Sequence, residues 1–156
     1  MITSSDLILA RWNLLNSSGI GRWLFSRAVG FAAPYSNTIG ARVQTLAPGR
    51  AVITMRDRRK VRNHLRSIHA AAMLNLTEMT GGLLSVVSIP ADARMIITRV
   101  ELDFVKKGRG TLHSTGRCIP PVSNERAHLE VDVMIRDTAN DEVARGRVTT
   151  LVGPIS

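Results

Sequence analysis

The sequence predicts an α+β domain in which one antiparallel sheet wraps a single long helix, preceded by short N-terminal helices. Three observations point there. The longest helical pattern of the 156-residue chain covers 69–88, where Ala70, Met73, Leu74, Thr77, Gly81 and Leu84 recur at helical spacing. Two strand-like stretches precede it, about the turn Pro48-Gly49-Arg50. After Pro90 the chain alternates with period two and no second long helix returns, which is not a βαβ order. One helix cannot cover two sheets, so a single sheet folded around it is the economical arrangement.

The elements follow in order. "DLILARWNLLN" (6–16) suits a helix, with Leu7, Ile8, Ala10, Arg11, Leu14 and Leu15 at three-to-four spacing and Ser4 or Ser5 as cap. "SSGIG" interrupts it. A second short helix over 20–30 carries Trp23, Leu24, Ala28 and Phe31 on its stripe. Residues 1–37 are expected to form a helical extension packed on a domain of residues 38–156. "ARVQTLAPGRAVITMRD" holds the two early strands. In the long helix, Gly81-Gly82 lowers helix propensity, which predicts a close neighbour at that turn. "RMIITRVELDFVKKG" alternates, with Ile96, Thr98, Val100, Leu102 and Phe104 on one side and Arg99, Glu101 and Asp103 on the other. "RGTLHSTGRCI" is a shorter strand. "RAHLEVDVMIRD" turns Ala127, Leu129, Val131, Val133 and Ile135 inward, "TAND" reverses the chain, and "EVARGRVTTLVG" is the last strand.

Composition narrows the function. Hydrophobic residues make up 44% of the chain, enough for a core, and the length fits one domain. The lone Cys118 forms no intrachain disulfide, and the four histidines make no spaced ligand set with it, so neither metal nor cofactor is expected. A reducing, cytoplasmic setting fits. Arg11, Asn13, Asn16, Arg22 and Arg27 break the apolar residues near the start, so neither a signal peptide nor a transmembrane segment is expected. The net charge of +9 calls for an anionic partner: nucleic acid, a membrane surface or a phosphate-bearing small molecule. With 4% aromatic residues there is no base-stacking platform, and no helix-turn-helix or zinc-finger pattern occurs, so nucleic acid is not the expected partner.

The informative stretch is "VRNHLRSIHAAAMLNLTEMTGG" (61–82). It sets one carboxylate, Glu78, inside an apolar helix whose front end carries Asn63 and His69. The order of elements from about 38 to 153 resembles the hotdog fold, a curved antiparallel sheet around a long central helix. Within it, "NHLRSIHAAAMLNLTE" is similar to the PaaI-like acyl-CoA thioesterase motif: an Asn, a His six residues later, and an acid nine residues beyond that. Ala70-Ala71 stand where the family usually has two glycines. The N-terminal helices resemble an elaboration found in an uncharacterised branch of the superfamily.

The resemblance implies hydrolysis of an acyl-CoA thioester. Coenzyme A enters as part of the substrate, and the protein works as a homodimer or homotetramer. It assigns the oxyanion-donating N–H to Ala70, just after His69, at a helix start that offers free N–H groups and a positive dipole end. It assigns carbonyl or water placement to Asn63, and the general base or nucleophile to Glu78. Nine residues along a helix turn through about 900° and rise about 13 Å, so Glu78 cannot reach the start of its own helix. The family's arrangement, with each site shared between two subunits, resolves this. Arg62 in the basic run 56–66, and Lys106, Lys107 and Arg109 in "KKGRG", are the candidates for the CoA phosphates. Structural readings compete at each position: Glu78 as a solvated helix residue, His69 as a helix opener, Asn63 as a turn residue, the basic run as a solvated loop. A hotdog protein that binds acyl-CoA without turnover is the alternative function, and a hotdog dehydratase a further rival.

Overall fold

The computed structural model describes residues 4–155. Two helices come first, α1 (Ser4–Leu15) and α2 (Gly19–Ala32), then a 3-10 turn at Ser36–Ile39. Strands β1 (Arg42–Ala47) and β2 (Arg50–Met55) form a hairpin through Pro48-Gly49, where Gly49 takes a φ of 81° that a side chain would resist. A loop leads to α3 (Ala70–Ser88), followed by β3 (Ala93–Phe104), β4 (Leu112–Arg117), β5 (Ala127–Arg136) and β6 (Glu142–Pro154). The six strands make one wholly antiparallel sheet in the order β1-β2-β4-β5-β6-β3. Helix α3 touches all six strands, so the sheet curls around it, which is the hotdog fold.

The core lies between α3 and the concave side of the sheet. Leu76 and Leu84 face Ile53, Leu112, Val131, Ile135 and Val148, all essentially without solvent exposure. The hydroxyls on α3 that enter this layer are all satisfied. Thr77 donates to Met73 O, Thr80 donates to Leu76 O and pairs with Ser114, Ser85 pairs with Thr150, and Ser88 accepts from Gly49 N. Among the described residues α3 alone is long and apolar enough to cross a membrane, and it is mostly buried in this sheet.

The close approach expected at Gly81 is present. A Cβ there would lie 2.5 Å from the Cβ of fully buried Val148, whereas one at Gly82 meets the tip of Ile97 at 3.1 Å and Glu78 Oε1 at 3.7 Å. Gly81→Ala gains about 1 kcal/mol of helix propensity and loses more by forcing α3 off β6. A net loss of about 1–2 kcal/mol is expected from urea unfolding, with Gly82→Ala close to neutral.

Four expectations need correction, the first being the stripe proposed for α1, where Leu7, Ala10, Arg11 and Leu14 are exposed and Trp12, outside it, is buried. The alternation proposed for β3 does not run through the strand. The ladder with β6 slips between Ile97 and Arg99, so the inward positions are Ala93, Met95 and Ile97 before the bulge and Val100 and Leu102 after it. One extra residue reverses the facing of all that follow, and Ile96 and Phe104 are exposed. In α2 the proposed stripe of Trp23, Leu24, Ala28 and Phe31 is exposed, and the buried residues are Gly21, Phe25, Ser26 and Gly30. Phe25 meets buried Trp12 of α1 edge-on, with ring centroids 5.1 Å apart, and Ser26 Oγ accepts from Val43 N at the edge of β1. The glycines on that face let α2 lie close to its neighbours, Gly21 against the Leu15 backbone at the end of α1 and Gly30 against Asn37, which an apolar count does not reveal. Ala127 is exposed at the start of β5, while Leu129, Val131, Val133 and Ile135 point inward as expected.

Candidate active site

The loop before α3 is shaped by backbone pairing. His69 N donates to Val61 O, Ile68 N to Gly108 O and Asn63 N to Ser67 O, and buried Val61 and Ile68 anchor its base. At its tip Arg66 adopts a left-handed φ of 55°. Asn63 Oδ1 accepts from Leu65 N (2.9 Å), Ser67 N (3.2 Å) and Ser67 Oγ (3.1 Å). That oxygen therefore builds the turn. The Asn63 Nδ2 group has no acceptor among the described residues and stays free to donate.

His69 is the N-cap of α3. Its backbone is extended (φ −67°, ψ 140°), and Nδ1 accepts from Ala71 N at 3.0 Å. With that lone pair engaged, the proton of the neutral ring sits on Nε2. Ala72 N and Met73 N both donate to His69 O, so Ala70 N–H is left facing outward from the helix start. Asn63, His69 and Ala70 thus come together at one end of α3.

Glu78 lies further along the same helix, about 13 Å by helical rise. It is half-buried, and its Oε2 accepts from Ser36 Oγ at 3.3 Å. It lines a cavity of about 410 Å³ between α1, α2, α3 and β3, with Ile8, Leu15, Val29, Leu83 and Met95 among the walls. Glu78 is the sole carboxylate in that lining, Arg11 the sole cation and Ser36 the sole hydroxyl. A carboxylate beside an apolar chamber, with one neutral donor and open space before it, suits work on a bound apolar group with a polar reacting centre.

The basic residues divide. Arg62 Nε binds Asp57 Oδ1 at 2.6 Å, and Asp57 Oδ2 accepts from Gly110 N at 3.0 Å, so one acid ties together the two basic segments. Burial raises the Asp57 pKa, but its bonds to Arg62 and Gly110 outweigh this and hold it below the usual carboxylate range. Lys106 lies between Asp137 (2.7 Å) and Asp141 (2.6 Å), whose hydrogen bonds raise its pKa. Its charge is already compensated. Lys107 and Arg109 are exposed with no ionic partner among the described residues.

Sequence reasoning missed Ser36 and could not place the chamber walls on α1 and α2. Ser36 stands 42 residues from Glu78, and no local pattern signals such a pair. A larger hollow, about 830 Å³, lies on the outer face of the sheet, where Arg145 and Arg147 are tied to Glu142, Glu130 and Asp132. It contains neither His69 nor Glu78.

The model of a domain of unknown function, DUF4442, matches residues 21–152. No curated protein matches the sequence. Solved structures do match in fold. A structural-genomics protein superposes with a TM-score of 0.80 at 25% identity, over 97% of this chain and 98% of its own. A thioesterase family protein from Silicibacter pomeroyi gives 0.70 at 17% identity, over 83% of this chain and 96% of its own. A Streptococcus mutans protein bound to acetyl-CoA gives 0.62 at 24% identity, over 72% of this chain and 87% of its own.

Proposed function

We propose that this chain, which belongs to the DUF4442 family, hydrolyses the thioester of an acyl-CoA in a site shared by two copies of itself. The observation that carries the reading is Glu78, the one carboxylate of an otherwise nearly apolar chamber, on the helix that begins with His69 and Ala70. Thioesterases and an acetyl-CoA complex among proteins of the same fold support it.

The sheet favours the pairing of two chains. Strand β1, at one edge, is short and packed by α2. Strand β3, at the other, runs twelve residues with an open ladder edge and exposes Ile96. An edge this long invites a partner strand. Antiparallel pairing of β3 with β3 of a second copy about a two-fold axis closes the assembly. It sets the two α3 helices side by side in opposite directions, with Glu78 of each near the start of the other.

In that site the acyl group fills the chamber and the thioester carbonyl oxygen faces the Ala70 N–H of the partner subunit, with Asn63 Nδ2 of the partner subunit as a second donor. Glu78 takes a proton from water as the water oxygen attacks the carbonyl carbon, and the N–H donors hold the developing oxyanion. The carbon–sulfur bond then breaks, the leaving thiolate recovers the proton, and carboxylic acid and CoA are released. Lys107 and Arg109 form the phosphate-attracting rim, beside Lys106 and Arg62, whose charges are taken up by Asp137, Asp141 and Asp57.

The test is a panel of acyl-CoAs from acetyl to palmitoyl. Hydrolysis with a chain-length optimum is expected, and no turnover at any length contradicts the proposal. Val29, on the α2 wall, reports the chamber. Val29→Trp should cut kcat/KM for the longer acyl groups about tenfold or more and spare acetyl-CoA, since pocket volume discriminates by about that much per lost contact. A protein that binds acyl-CoA without turnover would show Val29-dependent affinity with no product.

A further inference from the structure

Helix α2 has a second face that the fold does not use. Its buried side meets α1 through Phe25 and β1 through Ser26. Successive helical residues turn through about 100°, so Ile20, Leu24, Arg27 and Phe31 fall within about 60° of one another on the other side, with Trp23 beside them. Phe31 is 90% exposed and Ile20 75%, and Trp23 and Leu24 are exposed as well. A single exposed apolar side chain is ordinary, but a continuous stripe of large ones marks a contact surface.

The charge around the stripe has one sign. No Asp or Glu occurs from residue 7 to residue 56, a segment that carries Arg11, Arg22, Arg27, Arg42, Arg50 and Arg56. Arg27, in the middle of the stripe, is exposed with no ionic partner among the described residues. Large apolar side chains around an unpaired arginine, in a cationic segment, suit a surface that is anionic outside and apolar beneath. Trp23 fits such a boundary, since its ring is apolar and its N–H takes a polar partner. A second copy is a poor occupant. Packing α2 on α2 about a two-fold axis would set two cationic stripes against each other with no acid between them. The pairing through β3 proposed above uses the sheet edge other than the one on which α2 packs.

We propose that the outer face of α2 docks on an anionic phospholipid bilayer, with Ile20, Leu24 and Phe31 entering the acyl boundary, Trp23 at headgroup depth and Arg27 on lipid phosphate. The helix lies in the plane of the surface, since its 14 residues are too few to span a bilayer. The proposal does not depend on thioester hydrolysis. Another side of α2 walls the chamber of Glu78, so docking holds that chamber close to the bilayer.

Vesicle sedimentation with the full chain tests it, using phosphatidylcholine alone and phosphatidylcholine with about 30% phosphatidylserine. Wild type should bind the anionic vesicles about tenfold or more tighter than the neutral ones, and more weakly at about 0.5 M salt. The double variant Ile20→Gln, Phe31→Gln and the single variant Arg27→Glu should each lower that affinity about tenfold, with Tm and oligomeric state unchanged. Of the two tryptophans Trp12 is buried, so Trp23 reports contact. Its emission should move to the blue on binding and be quenched by brominated acyl chains. No binding to anionic vesicles overturns the proposal. So does binding that the double variant retains with no shift of Trp23 emission, which is adsorption of charge alone. Variants that break up a wild-type oligomer mark the stripe as a contact between copies, and that result overturns it too.

Discussion

Glu78→Gln is expected to lower the turnover of the best acyl-CoA by about a thousandfold while affinity for CoA stays within about twofold. The substitution keeps size and shape, and it keeps an oxygen for the Ser36 hydroxyl. It removes the negative charge and the basicity. Stability should hold or rise, because a half-buried carboxylate with a single neutral donor gives up little when it becomes an amide. Single-turnover hydrolysis together with thermal unfolding separates these effects. A large fall in Tm would make Glu78 a structural residue, and hydrolysis at the wild-type rate would remove it from the chemistry.

The second large effect is at the helix start. Ala70→Pro deletes one N–H and little else. Ala70 is the first helical residue, where proline fits because its missing N–H has no intrahelical partner. His69 before it already has the extended backbone that a following proline requires. Helix α3 should therefore form, with Tm almost unchanged. If Ala70 N–H holds the oxyanion, kcat falls about a hundred- to a thousandfold. Stopped-flow product formation against Tm is the measurement. Unchanged kcat in a folded Ala70→Pro protein would move the oxyanion site elsewhere.

Much of the scaffold was legible because its signals are local. The helix over 69–88, its His69 opening, the inward stripe from Leu129 to Ile135 and the tight turn at Gly81 all follow from spacing and residue size. The bulge in β3 was not legible, since the extra residue between Ile97 and Arg99 is defined by its pairing with β6. Nor was the buried face of α2, where Gly21 lets the helix pass the Leu15 backbone and Ser26 accepts from Val43 N at the sheet edge. The site divided the same way. The front-end cluster of Asn63, His69 and Ala70 is contiguous in sequence, so it could be named. The Ser36 contact and the α1–α2 wall arise from chain crossings. Lys106 shows the limit for charge: a lysine in a basic turn looks free until Asp137 and Asp141 are found beside it.

The central claim is that one chain supplies Glu78 and another supplies Ala70. Mixing tests it most directly. Glu78→Gln and Ala70→Pro proteins are each inactive alone, and are unfolded and refolded together in equal amounts. In a mixed dimer with shared sites, one site carries both defects and the other carries none. Random pairing then restores about a quarter of wild-type activity. Recovery to that level is the expected result, and no recovery in a mixture shown to contain mixed dimers would place the whole site within a single chain.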